Sequence, residues 1–133
     1  MQIGIIRTLT LVLGVLLTAG CSNSPTSPGI QPEVVNNTDS FEYQVSDILN
    51  YSGAATYAWE NSGTTANLNL SSAGEAGDAT LTVLDAAATQ VFTGTLSANG
   101  TFVTDTGVAG EWTLRVDYTS FSGTVNFRAE KST

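Results

Sequence analysis

From Phe41 onward, apolar and polar residues alternate in short runs that are separated by Gly, Asn, Asp and Ser. Alternation with a period of two predicts strands with one buried face, because successive side chains of a strand point to opposite sides. The clearest run places Trp112, Leu114, Val116 and Tyr118 on one face. No run after Phe41 has the 3.6-residue period of an amphipathic helix. The pattern predicts an all-β fold.

About eight such runs follow one another, with turn residues between them. This number of short strands predicts an antiparallel β-sandwich or jelly roll. The last two runs predict a hairpin that turns at residues 120–123 and pairs Val116 with Val125. Asn99-Gly100 predicts a type I′ turn, because both residue types accept positive φ. The runs cover residues 41–45, 54–60, 66–70, 80–83, 90–96, 100–104, 112–118 and 124–130, and the expected large core residues are Tyr57, Trp59, Phe92, Phe102, Trp112 and Phe127.

The N-terminal segment has a different pattern. An apolar run occupies residues 8–17 after a start that carries Arg7, and small residues follow it at 18–20. This order is typical of a secretory signal. The stretch from Ile3 to Ala19 has at most 17 residues and contains Arg7, whereas a membrane-spanning helix needs roughly 20 apolar residues. A cleaved signal peptide over residues 1–20 is therefore favoured over a transmembrane helix.

The only cysteine of the chain, Cys21, directly follows these small residues. The segment Leu17-Thr18-Ala19-Gly20-Cys21 resembles the lipobox of bacterial lipoproteins. The resemblance implies cleavage between Gly20 and Cys21, a diacylglycerol on the Cys21 sulfur and, in many bacteria, an acyl chain on the new amine. It also implies an exported protein, anchored in the cell envelope through its lipid. The alternative is a free or buried thiol in an ordinary exported protein.

The residue after the cysteine bears on the membrane that holds the anchor. An Asp at this position resembles an inner-membrane retention signal, and the chain has Ser22 there instead. The resemblance therefore favours the outer membrane in an organism with two membranes.

Residues 21–40 contain all three prolines of the chain and few large apolar side chains. Such a composition predicts an extended tether between the lipidated cysteine and a folded domain at residues 41–133. The alternative for part of this segment is a short edge strand at Val34 and Val35.

Composition narrows the range of partners. The chain has 4 Lys and Arg against 12 Asp and Glu, a net charge of -8 and no His. Four basic residues cannot neutralise a phosphate backbone, so no nucleic-acid partner is expected. The absence of His and of a second Cys excludes His-based catalytic triads, most zinc sites and intramolecular disulfides. The expected partners are the membrane and an envelope protein or polysaccharide.

Two groups of residues are candidate sites. Loop carboxylates are ligands that Ca²⁺ prefers, although the spacing of those here matches no calcium repeat, and solvated surface charge is the alternative. Phe121, at the tip of the predicted hairpin, is expected to be exposed to a partner or membrane, with burial over the core as the alternative. The acidic residues are too scattered to predict a glycosidase pair. The candidate carboxylates are Glu75, Asp78, Asp85 and Asp105.

Residues 77–85, 110–116 and 122–127 together resemble the bacterial pre-peptidase C-terminal domain. They read Gly-Asp-Ala-Thr-Leu-Thr-Val-Leu-Asp, Gly-Glu-Trp-Thr-Leu-Arg-Val and Ser-Gly-Thr-Val-Asn-Phe. The resemblance covers about residues 54–130 and implies a β-sandwich of the kind that accompanies secreted enzymes.

The sequence thus predicts a lipid-anchored, non-catalytic β-sandwich module without a cofactor, whose ligand is unknown. The second hypothesis is a carbohydrate- or calcium-dependent adhesion module. The third is a carboxylate-based hydrolase.

Overall fold

The computed structural model describes residues 29–132. This part of the chain forms seven antiparallel strands and a single 3₁₀ turn at Leu96–Ala98, and the predicted all-β fold is confirmed. None of the described residues belongs to a helix that could cross a membrane. The strands are β1 (Glu33–Asn37), β2 (Ser40–Asn61), β3 (Ala66–Leu70), β4 (Ala73–Leu84), β5 (Gln90–Thr95), β6 (Gly100–Val103) and β7 (Gly110–Lys131).

The two longest strands form the frame of the fold. β2 and β7 have 22 residues each and pair from the Ser40–Glu130 end to the Asn61–Gly110 end. Their register shifts three times between Val45 and Gly53. A register shift of this kind adds an unpaired residue to one strand and bends it. The long ribbon therefore bends near its middle.

The bend brings the two ends of β2 together. The Asp39 amide donates to the Glu60 carbonyl at 2.8 Å, and Trp59 Nε1 donates to the Asn37 carbonyl at 3.1 Å. The rings of Phe41 and Tyr57 lie 5.5 Å apart. The first half of β2 thus lies over its second half. A doubled ribbon of this kind has two layers.

Each half of the ribbon carries further strands. In the first layer, the first half of β2 pairs with β1 on one side and with the second half of β7 on the other. The second half of β7 also pairs with β3, and β3 pairs with β6 at the edge of the layer. In the second layer, the first half of β7 pairs with the second half of β2 on one side and with β4 on the other. β4 in turn pairs with β5. The result is sandwich-like, with two layers that are continuous through β2 and β7.

The core lies between the layers. Trp59 and Trp112 are paired neighbours in the second layer, and their rings meet edge to face at 6.1 Å. Trp59, Trp112 and Phe127 are buried as predicted. The other three expected core residues, Tyr57, Phe92 and Phe102, are partly buried and pack at its margin.

The predicted C-terminal hairpin is wrong. Residues 110–131 form one strand, in which Val116 pairs with Ala55 and Leu81 while Val125 pairs with Val45. Ser120 and Gly123 do have the positive φ of turn residues, at 44° and 139°. They bend the strand without reversing it, because β2 and β4 continue alongside β7 on both sides of the bend.

The predicted hairpin turn at Asn99-Gly100 is also wrong. Both residues have positive φ, at 49° and 119°. They connect the 3₁₀ turn to β6, and the strands on either side do not pair, since β5 pairs with β4 and β6 with β3. Asn99 Oδ1 instead accepts a hydrogen bond from the Ser72 amide at 2.8 Å. The side chain thereby fixes the junction before β4.

The N-terminal boundary of the folded part lies earlier than expected. β1 falls inside the segment predicted as a tether, and its register runs from Glu33–Gln44 to Asn37–Ser40. The alternative of an edge strand at Val34 and Val35 is the correct one. The folded sheet therefore begins at Glu33, whereas the sequence predicted Phe41. The predicted signal peptide, cleavage site and Cys21 lie outside the described residues.

The strand count changes from about eight to seven for a related reason. The runs at 41–45 and 54–60 are halves of β2, and the last two runs are halves of β7. β1 adds one strand that the alternation did not predict.

Candidate functional site

The four candidate calcium ligands occupy separate positions in the fold. Glu75 and Asp78 are exposed on the first part of β4, Asp85 follows its end, and Asp105 is exposed in the loop after β6. Within residues 29–132, no group of three or more Asp, Glu, His or Cys residues could hold a metal ion. The structure therefore does not gather these carboxylates into one set of ligands.

Asp85 has a structural role in the loops. Its side chain is buried, and Oδ1 accepts hydrogen bonds from the amides of Ala87 and Thr89 at 2.9 and 2.8 Å. Oδ2 accepts a third from the Val108 amide at 2.9 Å. The Thr89 amide is the largest of the causes that lower the pKa of this carboxyl below its ordinary value of 3.8, and Val108 is the second. Asp85 thus joins the β4–β5 loop to the segment before β7.

The prediction that Phe121 is exposed is wrong. Its side chain is 3% exposed, and its ring lies 5.8 Å from that of Tyr118 in the core. Ser120, with φ at 44°, shifts the local pairing so that Phe121 lies on the inner side of β7. The side chain packs close to the backbone of Gly74 on β4. Phe121 therefore fills the core at the bend and presents no contact surface to a partner.

A cluster that the sequence did not predict joins Asp39, Ser62 and Lys131. Asp39 lies in the turn between β1 and β2, and its Oδ1 accepts the Ser62 amide at 2.7 Å. Asp39 Oδ2 accepts the Ser62 hydroxyl at 2.8 Å and lies 3.3 Å from Lys131 Nζ, which is 3.2 Å from Ser62 Oγ. The three residues are far apart in sequence, and no local pattern connects them.

The geometry of this cluster does not favour nucleophilic catalysis. A serine nucleophile needs a neighbouring base that can take its proton. The hydrogen bonds from the Ser62 backbone and side chain lower the pKa of Asp39, which makes its carboxylate a weak base. Lys131 Nζ lies 3.3 Å from Asp39 Oδ2, so the lysine forms an ion pair with this carboxylate. The cluster instead ties the β1–β2 turn to the ends of β2 and β7.

The outer side of the first layer carries a polar groove of about 410 Å³. Asn126 Nδ2 donates to Gln44 Oε1 at 3.2 Å, and a guanidinium nitrogen of Arg128 lies 3.3 Å from Glu42 Oε2. On the next strand, Asn69 Nδ2 donates to Thr101 Oγ1 at 3.2 Å. The groove crosses β1, β2, β7 and β3, so strand pairing fixes the positions of its lining side chains.

A second groove, of about 680 Å³, lies at the bend of β2. Ile30, Asp47, Leu49 and Tyr51 are among its lining residues. Leu49 is 84% exposed, and Asp47 and Asn50 on either side of it have positive φ. The beginning of the described chain thus passes beside the bend.

Comparison with known proteins gives no family for this chain. No protein-family model matches it, and no curated protein matches its sequence at a significant level. Its function is therefore inferred from its own residues and geometry.

Proposed function

We propose that this protein is a lipid-anchored, non-catalytic β-sandwich module of the bacterial cell envelope. The observation that carries the proposal is Cys21, which follows an apolar segment and the small residues Thr18, Ala19 and Gly20. A lone cysteine in this position has the context of a lipid acceptor. Two or three acyl chains on one cysteine give stable membrane anchoring, whereas a single chain gives marginal binding.

The start of the sheet supports this arrangement. Eleven residues, 22–32, separate Cys21 from the first residue of β1. A fully extended chain rises at most about 3.6 Å per residue, so the lipid and the sheet are no more than roughly 45 Å apart. In this proposal the module stays close to the membrane.

The non-catalytic part of the proposal rests on what the polar side chains already do. Asp85 accepts three backbone amides, and Ser62 and Lys131 are both bonded to Asp39. These contacts stabilise loops and strand ends. The role that fits them is structural support of a binding module.

Metabolic labelling with an alkyne analogue of palmitate tests the anchor. The full chain is expressed in a bacterium that processes lipoproteins, as wild type, as Cys21→Ala and as Ser24→Ala. The last variant changes the same segment but keeps the lipobox. We expect label on the wild type and on Ser24→Ala, and none on Cys21→Ala. Label that persists on Cys21→Ala, or that is absent from the wild type, contradicts the proposal.

The membrane that holds the anchor is tested separately. In a bacterium with two membranes, density-gradient separation is expected to place the wild type in the outer membrane. Ser22→Asp is expected to move it to the inner membrane, because this change introduces the residue that resembles a retention signal. A wild-type protein that separates with the inner membrane contradicts the outer-membrane assignment.

A further inference from the structure

The outward side chains of the first layer form polar rows across its strands. One row contains Glu33, Gln44 and Asn126, and strand pairing places each opposite the next. Directly opposed residues of neighbouring antiparallel strands have Cβ atoms about 5 Å apart. The next row contains Glu42, Arg128 and Asn69 in the same way. We call these six residues the amide face, which comprises Glu33, Glu42, Gln44, Asn69, Asn126 and Arg128.

The strands hold the amide face in place from behind. Tyr43 and Phe127 alternate with its residues on β2 and β7, and they are 1% exposed in the core. Leu68 and Leu70 flank Asn69 on β3 and are also buried. Side chains on packed strands are positioned more precisely than those on loops, so less order has to be gained when a ligand binds.

The amides on this face retain hydrogen-bonding capacity. Asn126 uses its Nδ2 on Gln44 Oε1, and Asn69 uses its Nδ2 on Thr101 Oγ1. Among residues 29–132, Asn126 Oδ1, Gln44 Nε2 and Asn69 Oδ1 have no hydrogen-bond partner. A side-chain amide offers both donors and an acceptor in one plane. Sugar hydroxyls can both donate and accept, so they match this mixture of groups.

The charge and polarity of the amide face disfavour anionic and hydrophobic ligands. Arg128 is its one cation, and it lies 3.3 Å from Glu42 and 3.9 Å from Glu130. Glu33 adds a further negative charge to the groove lining. Like charges repel an anionic polymer, and the neutralised guanidinium does little to attract one. Val35, which is 51% exposed, is a small apolar area for a hydrophobic ligand.

We propose that the amide face binds a neutral, hydroxyl-rich polysaccharide chain. The groove of about 410 Å³ is within the range of small-molecule sites, and it crosses four strands, so it can take a short stretch of such a chain. This inference rests on the proposed function for its setting, since an envelope module meets surface polysaccharides. It names the class of ligand that the module binds.

The outer side of the second layer supplies a matched control. Thr82 on β4 and Thr93 on β5 are hydrogen-bonded to each other there, and Arg115 is paired with Asp117 at 2.9 Å. That side has threonine hydroxyls and an Arg–Asp ion pair, whereas the amide face has side-chain amides. Thr82→Ala therefore changes a polar outer position of the same fold without touching the proposed site.

The test is calorimetric titration of the purified full chain in detergent. The probes are neutral oligosaccharides of glucose, mannose and xylose, with oligogalacturonate as the acidic comparison. We expect at least one neutral probe to bind and oligogalacturonate not to bind. Asn126→Ala and Gln44→Ala are each expected to weaken binding about tenfold, the equivalent of one lost hydrogen bond. Thr82→Ala is expected to bind as the wild type does.

The proposal is overturned if no neutral probe binds to the wild type. It is also overturned if Thr82→Ala weakens binding as much as Asn126→Ala does, once circular dichroism shows that both variants are folded. These results are independent of the labelling of Cys21. If the protein is labelled on Cys21 but binds no sugar, only the proposal for the amide face is refuted. If it binds sugar but is not labelled, only the lipid anchor is refuted.

Discussion

Tyr43 and Tyr118 lie on different layers of the core, and their hydroxyl oxygens share a hydrogen bond of 2.6 Å. Burial raises the pKa of Tyr43 to about 12 and is also the main cause that raises the pKa of Tyr118. Both side chains are at most 3% exposed. A buried hydroxyl without a partner is costly, so each tyrosine satisfies the other. At the scale of the residue, this contact joins the two layers.

A double-mutant cycle measures this contact. Tyr43→Phe leaves the Tyr118 hydroxyl buried without its partner, so we expect the free energy of unfolding to fall by about 1–3 kcal/mol. Tyr118→Phe has the converse effect. The double variant is expected to lose less than the sum of the two, because it buries no unsatisfied hydroxyl. Urea unfolding measures the free energy of unfolding of each variant, and Tyr57→Phe, at a half-buried tyrosine, is the control. If the losses of the two single variants add up to that of the double variant, the two hydroxyls are not coupled.

The hydrogen bonds of the Asp85 carboxylate are expected to make the stability of the fold depend on pH. Its pKa in the folded protein is lowered by the Thr89 and Val108 amides, so the stabilisation is complete above the ordinary value of 3.8. It is lost as the pH falls below that value and through the lowered pKa of the folded state. The melting temperature of the wild type is therefore expected to approach that of Asp85→Ala as the pH falls from 5 towards ~2.

The same variants test the role of Asp85 at neutral pH. Asp85→Ala removes all three hydrogen bonds and is expected to lower the melting temperature by roughly 10 °C. Asp85→Asn keeps one acceptor oxygen and is expected to lie between the alanine variant and the wild type. A difference between wild type and Asp85→Ala that is the same at every pH would show that the carboxylate charge contributes nothing.

At the scale of the element, the bends in β2 and β7 determine the architecture. Gly123 in β7 has φ at 139°, and a Cβ placed on it would lie 2.3 Å from the Ala73 carbonyl oxygen. β4 therefore approaches β7 closely at the point where both cross the bend. Gly100 has a similar φ of 119°, but a Cβ there would have no neighbour closer than 3.9 Å. The two glycines share backbone conformation and differ in the space around them.

Alanine substitutions at Gly100 and Gly123 distinguish the cost of positive φ from the cost of a steric clash with a neighbouring strand. Both substitutions strain the backbone, because residues with a Cβ rarely adopt these φ values. Gly100→Ala is expected to cost about 1–2 kcal/mol of unfolding free energy. Gly123→Ala is expected to cost at least ~2 kcal/mol more, because the Ala73 carbonyl must also move. Denaturant unfolding measures both, and equal losses would show that the contact between β4 and β7 is not tight.

The sequence predicted where strands lie better than it predicted whether two successive runs form one strand or two. Alternation is a local property, so it correctly placed Trp112, Leu114, Val116 and Tyr118 on a buried face. Bulges and turns use the same residue types and the same positive φ, so nothing local distinguished the bend at Ser120 from a hairpin. The exposure of Phe121 was mispredicted for this reason.

The candidate site was even less accessible to sequence reasoning. Asp39, Ser62 and Lys131 meet because the turn between β1 and β2 lies beside the ends of both long strands. The amide face depends on the register of β2, β7 and β3, which places residues such as Gln44 and Asn126 side by side. Pairing between distant strands is a property of the whole sheet. The pattern of a single run does not contain it.

At the scale of the whole molecule, the proposal combines a lipid anchor on Cys21 with ligand binding by the amide face. Ile30 lines the groove at the bend of β2, so the described chain enters the fold beside that bend. The amide face lies on the outer side of the first layer, where β1 continues from the entering chain. In this proposal, the module contacts polysaccharide near the membrane.

The most direct test of this account is the intact mass of the protein extracted from membranes, with Cys21→Ala beside the wild type. We expect the wild type to have lost residues 1–20 and to carry the added mass of a diacylglycerol, with a further acyl chain where the host acylates the amine. Cys21→Ala is expected to carry no acyl mass. A wild-type protein that is cleaved elsewhere, or that carries no lipid on Cys21, would contradict the account.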